Sequence, residues 1–90
     1  MPRKIREIKY SLKFLKHLLR LPEKIYHKTR ERERTFREDA FSPRLHTHKL
    51  HGKDEYAWAF WVDFTYRIKF IFLNEGEVLF FDVGTHDLYK

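Results

Sequence analysis

The second half of the chain alternates apolar and polar residues with a period of two. Every second residue between positions 64 and 72 is aromatic or aliphatic, namely Phe64, Tyr66, Ile68, Phe70 and Phe72. Successive side chains of a β-strand point to opposite faces of a sheet, so this pattern predicts a strand with one buried face. Similar stretches at 46–52, 56–62 and 77–83 predict three further strands. Short turns join all four, which indicates an antiparallel meander.

The first half predicts a short edge strand, Ile5–Tyr10, followed by two helices. Ser11 is suited to be the N-cap of the first helix. The leucines that follow have helical spacing and predict an amphipathic helix of about three turns. Pro22 interrupts that helix and suits the first turn of a second one. The second helix would bury a stripe formed by Ile25, Thr29, Arg32 and Phe36.

This order of elements predicts a single α+β domain over residues 1–90. It has an N-terminal strand, a helical hairpin and a four-stranded antiparallel meander packed on the helices. The sequence contains no cysteine, so the core depends on packing alone, and 18% of the residues are aromatic. No apolar stretch approaches the roughly 18 residues that span a bilayer, and no apolar signal core follows the basic start. We therefore expect a soluble, cytoplasmic protein.

The formal charge of +6 is unevenly distributed. Residues 1–53 contain 16 Lys and Arg but six Asp and Glu, whereas residues 54–90 contain three and seven. This asymmetry favours an anionic partner, with nucleic acid as the first candidate. A well-solvated helical surface would produce the same pattern, so charge alone leaves both interpretations open.

Four segments resemble, in order, the RelE/ParE superfamily of bacterial toxins: IKYSLKFLKHLLRLPEKI, FSPRLHTHKLHGK, YAWAFWVDFTYRIKFIF and EVLFFDVGTHDLYK. The likeness extends over roughly residues 5 to 89. The motifs that carry the likeness are H-x-L-x-G, Y-R-I and G-T-H-D. Within the superfamily, the sequence most resembles the RelE/YafQ-type mRNA interferases.

The resemblance implies the toxin of a type II toxin–antitoxin system, with a RelE-like fold. Such a toxin is a ribosome-dependent endoribonuclease of mRNA, in which the ribose 2′-OH attacks the adjacent phosphate. Neither a metal nor another cofactor is expected. The expected partners are a cognate antitoxin protein and mRNA on the ribosome, with no membrane and no small-molecule ligand.

The same resemblance identifies candidate catalytic residues. His86 matches the histidine of G-T-H-D and would be the general acid, and His48 matches that of H-x-L-x-G and would be the base. Arg67 matches the arginine of Y-R-I and would contact the scissile phosphate. Histidine titrates near neutral pH and arginine offers a planar donor fork for phosphate. Against these roles, His86 could be a solvated terminal residue, and Arg67 could form a salt bridge with Asp63 or Asp82.

Three further residues are candidates for binding RNA or its phosphates, namely Lys49, Lys53 and Tyr89.

On a regular strand His46 and His48 would share one face and His51 would lie on the other. No cysteine or suitably spaced carboxylate completes a zinc site with these histidines, so no metal site is predicted.

Two positions depart from the YafQ-like pattern, since Trp61 and Thr65 stand where those toxins carry a further His and an Asp. The departure leaves two alternatives open. One is a ParE-like toxin that poisons DNA gyrase. The other is a catalytically silent relative that binds RNA or an antitoxin.

Overall fold

The structure is a computed structural model that describes residues 2–85. It contains two helices, five strands and two short 3₁₀ turns. In chain order these are β1 (Glu7–Tyr10), α1 (Leu12–Leu19), α2 (Glu23–Glu38), the turn Pro43–Leu45, β2 (His48–Lys49), the turn Gly52–Asp54, β3 (Trp58–Trp61), β4 (Tyr66–Asn74) and β5 (Glu77–Thr85).

The strands form one mixed sheet in the order β1-β5-β4-β3-β2. Strands β2 to β5 are the predicted antiparallel meander, and β1 adds to its edge by pairing in parallel with β5. The α+β architecture is therefore confirmed. Among residues 2–85, no helix is both long and apolar enough to cross a membrane.

Ser11 connects β1 to α1 as predicted. Its Oγ accepts a hydrogen bond from the main-chain N–H of Phe14 at 3.0 Å. The same hydroxyl donates to the carbonyl of Phe81 at 2.9 Å, so the cap also fixes the start of the helix against β5. The helix ends at Leu19 after eight residues, which is about two turns rather than the predicted three.

The buried stripe of α2 differs from the prediction at two positions, since Ile25 is only partly buried and Glu33 takes the place of Arg32. Thr29, Glu33 and Phe36 are buried, whereas Arg32 is half-exposed and donates from Nε to the carbonyl of Val62 at 3.2 Å. Glu33 is buried because it accepts a hydrogen bond from the Tyr10 hydroxyl and contacts two arginines of its own helix. Burial, followed by the bond to Glu33, raises the pKa of Tyr10 above its ordinary value.

An aromatic cluster forms the centre of the core between α2 and the sheet. The ring of Phe36 lies 4.8 Å from that of Phe60, 4.9 Å from Phe70 and 5.3 Å from Phe80. All four are fully buried. Phe64 was predicted to share this face, but it precedes β4 and is 77% exposed.

The face of the sheet opposite the helices is partly covered as well. Leu50, Ala57 and Ala59 form a small buried cluster there, against which Ile71 and Phe81 pack. The predicted strand 46–52 is reduced to two residues because the chain turns at Gly52–Asp54 and folds Leu50 over the sheet. The face that carries Arg67 is therefore only partly open.

Candidate functional site

Arg67 lies on the face of β4 that points away from the helices. Its neighbour Ile68 points into the main core, and Arg67 pairs across the sheet with Trp61 on β3 and Gly84 on β5. The alternation of residues 64–72 predicts that Arg67 lies opposite the buried face of its strand, and the structure confirms this placement. The residue is only 7% exposed, so it is far more enclosed than a surface arginine.

The guanidinium of Arg67 is held by the turn between β3 and β4. Its Nη1 donates to the carbonyl of Asp63 at 2.7 Å and to the carbonyl of Phe64. Its Cζ lies 4.3 Å from the ring centroid of Trp61, which is within the range of a cation–π contact. These contacts direct the guanidinium towards the end of the sheet at which β4 begins.

Neither of the carboxylates proposed as salt-bridge partners contacts Arg67. Oδ1 of Asp63 instead accepts the main-chain N–H groups of Thr65 and Tyr66, at 2.8 and 2.7 Å, and closes the turn. Asp82 lies beside α1, with its Oδ1 2.6 Å from Nδ1 of His17. Within residues 2–85 the guanidinium therefore has carbonyl and aromatic partners but no carboxylate that would neutralise its charge.

A second buried cation on the same face has a different environment. Lys69 is 6% exposed, and its Nζ lies 2.6 Å from Oδ2 of Asp54. Sequence reasoning gave neither residue a role. Because the turn Gly52–Asp54 brings this carboxylate over the sheet, the charge of Lys69 is compensated, whereas Arg67 has no carboxylate partner among residues 2–85.

The three histidines near β2 do not form a strand with alternating faces. His46 has a left-handed backbone, with φ 52° and ψ 40°, and ends the turn Pro43–Leu45. Its ring stacks on Trp61 with centroids 3.9 Å apart and an interplanar angle of 22°. The expectation that His46 and His48 share a regular strand face was therefore wrong, because β2 begins only at His48.

His48 is exposed and lies on the same face as Arg67. It pairs with Ala59 on β3, which in turn pairs with Lys69 on β4. Strand spacing and rise place the Cα atoms of His48 and Arg67 about 12 Å apart. Nδ1 of His48 is 2.8 Å from the carbonyl oxygen of His46 and must donate to it, which places the lone pair of the neutral ring on Nε2.

The predicted RNA-binding lysines are both exposed but are not equivalent. Lys49 pairs with Trp58, whose side chain packs against the main core, so Lys49 belongs to the helix side of the sheet edge. Lys53 lies in the turn Gly52–Asp54. A pocket of about 280 Å³ beside this turn is lined by residues 48–51 and Asp54.

Two of the predicted site residues, His86 and Tyr89, lie outside the described residues. Strand β5 is described up to Thr85, which pairs with Tyr66 at the start of β4. The last described residues of β5 thus lie next to the turn that holds Arg67. Among residues 2–85, no group of three or more His, Asp or Glu side chains is arranged to hold a metal ion.

Comparison with solved structures identifies the fold family of this chain. No protein-family model and no curated protein matches the sequence. Among solved structures, the YoeB/ParE toxin from Agrobacterium tumefaciens superposes with a TM-score of 0.75 at 13% identity, covering 90% of this chain and 99% of that chain. YafQ from E. coli strain BL21(DE3) gives 0.72 at 18% identity, covering 92% and 96%.

A third structure comes from a complex, the toxin–antitoxin complex RelBE2 from Mycobacterium tuberculosis. It superposes with a TM-score of 0.69 at 17% identity, covering 96% of this chain and 94% of that chain. The chain has the RelE-like fold. The matches extend over nearly the whole length of both chains, so the RelE-like fold describes nearly all of this chain.

Within the RelE-like fold, the contact between His46, Trp61 and Arg67 was not predicted from the sequence. In the sequence, Trp61 stands out only as a departure from the YafQ-like pattern. The signal that would have revealed the contact is the register of β3 and β4, which places Trp61 opposite Arg67. The arrangement combines a fixed positive charge with an aromatic surface, which suits a ribose–phosphate with an adjoining base.

Proposed function

We propose that this protein is the toxin of a type II toxin–antitoxin system and acts as a ribosome-dependent mRNA endoribonuclease. The observation that carries the proposal is Arg67. It is buried on the face opposite the helices and fixed by carbonyls, and no described carboxylate compensates it. A buried charge of this kind is costly unless something anionic binds it. The resemblance of the Y-R-I motif to RelE-like toxins makes RNA phosphate the anion that we propose, and the RelE-like fold is consistent with it.

In the proposed reaction, the 2′-oxygen attacks the adjacent phosphorus while a base takes its proton. The bond between phosphorus and the 5′-oxygen breaks, and an acid protonates the leaving oxygen. The products are a 2′,3′-cyclic phosphate and a 5′-hydroxyl. Arg67 stabilises the charge that develops on the non-bridging oxygens, which preorganised donors do effectively. On the family resemblance His86 is the acid and His48 the base.

Binding of the RNA strand is assigned to residues around this centre. Lys53, at the exposed turn, and Tyr89 would contact the RNA close to the cleavage site. Lys49, at the sheet edge, would contact phosphates outside it. The excess of Lys and Arg in residues 1–53 adds a long-range attraction to the ribosome and its mRNA. A protein with this substrate acts in the cytoplasm.

We further propose a cognate antitoxin as the protein partner. Solved relatives include the DinJ-YafQ and RelBE2 toxin–antitoxin complexes. On this chain, Leu12 and Leu19 of α1 are 80% and 79% exposed and Leu15 is 40% exposed. Basic side chains at Lys13 and Lys16 flank them. An apolar stripe with basic borders fits an amphipathic antitoxin helix with acidic borders.

Induction of the gene tests the function. Wild-type protein should arrest growth and produce mRNA 5′ ends within codons at translating ribosomes, whereas the double variant His86→Ala, Arg67→Ala should do neither. DNA breaks that depend on gyrase, with intact mRNA, would instead identify the ParE-like alternative. The absence of any arrest would identify a catalytically silent relative.

A further inference from the structure

We propose that His46, rather than His48, is the catalytic base that acts beside Arg67. The proposal rests on the nuclease function proposed above and changes one of its residues. It comes from the shared contact of His46 and Arg67 with Trp61, which the sequence motifs do not predict.

The first argument is proximity. The ring centroid of His46 lies 3.9 Å from the indole of Trp61, and the Cζ of Arg67 lies 4.3 Å from it. The imidazole and the guanidinium are therefore no more than about 8 Å apart. Because both groups pack on the one indole, a single RNA linkage bound at the edge of Trp61 would contact both.

The second argument is alignment across the sheet. His48 pairs with Ala59 and is level with Lys69, whose charge is already paired with Asp54. His46 precedes β2, but its ring stacks on Trp61, which pairs with Arg67 on β4. The side chain of His46 is therefore level with Arg67 rather than with Lys69.

The third argument is how His46 is held. Leu45, directly before it, is fully buried, and the Thr47 hydroxyl, directly after it, donates to the carbonyl of Ala40 at 2.5 Å. Two anchors thus fix the backbone of His46 in a left-handed conformation that few non-glycine residues adopt. It is the only non-glycine residue within 2–85 with a positive φ. Such conformations concentrate at functional sites. The side chain itself remains exposed to solvent and therefore accessible to RNA.

In the reaction, the neutral imidazole of His46 takes the proton of the 2′-OH as the 2′-oxygen bonds to phosphorus. The acid, His86, gives a proton to the leaving 5′-oxygen. His46 thus gains one proton and His86 loses one, so the proton count balances. Arg67 keeps its charge throughout and Trp61 positions both side chains without changing its covalent state.

The test compares matched substitutions at the two histidines. His46→Asn and His46→Gly both suit a left-handed backbone, so the fold should be retained. Cleavage of mRNA on translating ribosomes in a reconstituted translation system should fall by about 100-fold or more, as expected on loss of a general base. His48→Asn should lower it less than about tenfold. If His48→Asn shows the larger loss, or if folded His46 variants cleave normally, the proposal is wrong.

A second measurement does not depend on activity. The ring of His46 should give proton NMR signals shifted upfield by the Trp61 indole, identified by their loss in His46→Asn and returned to ordinary positions in Trp61→Leu. Unshifted signals in the wild type would overturn the stacked geometry and with it the proposal. If wild-type protein cleaves no mRNA, the proposed function fails as well, whereas cleavage that survives loss of His46 refutes this inference alone.

Discussion

The guanidinium of Arg67 lies against the indole of Trp61, 4.3 Å from its ring centroid. The register of β3 and β4 brings the two residues opposite each other, and carbonyls of the following turn hold Nη1. The positive charge is therefore already in place before any anion binds. Preorganisation of this kind is what stabilises charge in a transition state at little cost in reorganisation.

Replacing Arg67 by lysine should abolish most of this advantage. A lysine ammonium cannot hold two carbonyls and stack on an indole while presenting a planar fork to phosphate. We expect cleavage on translating ribosomes to fall by about 100-fold or more, in the range found on removal of one transition-state donor. Arg34→Lys, on the exposed side of α2, is the matched control and should cleave normally. Equal activity of the two variants would refute the role of Arg67.

The ion pair between Lys69 and Asp54 predicts an effect on stability. Asp54→Asn removes a carboxylate that lies 2.6 Å from a nearly buried ammonium. The free energy of unfolding should decrease by about 2 kcal/mol, as is typical of hydrogen bonds to charged groups. Urea unfolding followed by tryptophan fluorescence measures this decrease. Glu55→Gln, an exposed neighbour, should change stability little, and a similar loss in both variants would contradict the account.

Asp39 predicts a dependence of stability on pH. Its Oδ1 accepts the main-chain N–H groups of Arg3 and Phe41, both at 3.0 Å, and these bonds lower the pKa of the carboxyl below its usual 3.8. A lowered folded-state pKa stabilises the fold at pH values above the unfolded-state pKa. That contribution is lost as the pH falls through the folded-state value.

The corresponding experiment compares unfolding of the wild type and Asp39→Asn across pH. The wild type should be more stable by a constant margin between about pH 7 and pH 5, and the margin should shrink below about pH 4. The matched control is Glu38→Gln, which alters the adjacent exposed carboxylate. A margin for Asp39→Asn that grows on acidification would contradict the assigned sign.

Much of the fold was predictable from local patterns. Alternation from Tyr66 onwards predicted β4 and the face of Arg67, and the hydroxyl of Ser11 predicted the start of α1. These features depend on strand periodicity and on capping, both of which act over a few residues. Residues that are close together in the sequence therefore determine β4, the face of Arg67 and the start of α1.

The errors arose where distant residues decide the outcome. Glu33 was not part of the predicted stripe of α2 but is buried, since Tyr10 and two arginines satisfy its carboxylate. The predicted histidine strand is short because buried Leu45 and Leu50 fix the chain on either side of it. The same contrast between local and distant residues holds at the candidate site. The face of Arg67 was predicted, but the packing of both Arg67 and His46 on Trp61 was not. The roles of His86 and Tyr89 remain predictions.

The chemistry of the RNA ends tests the central claim most directly. Purified protein added to ribosomes translating a defined mRNA should leave a 2′,3′-cyclic phosphate on one fragment and a 5′-hydroxyl on the other. Under the same conditions, Arg67→Lys and His86→Ala should leave the mRNA intact. Fragments with 5′-phosphates, or an mRNA that the wild-type protein leaves uncut, would contradict the proposal that Arg67, His46 and His86 form a ribonuclease site.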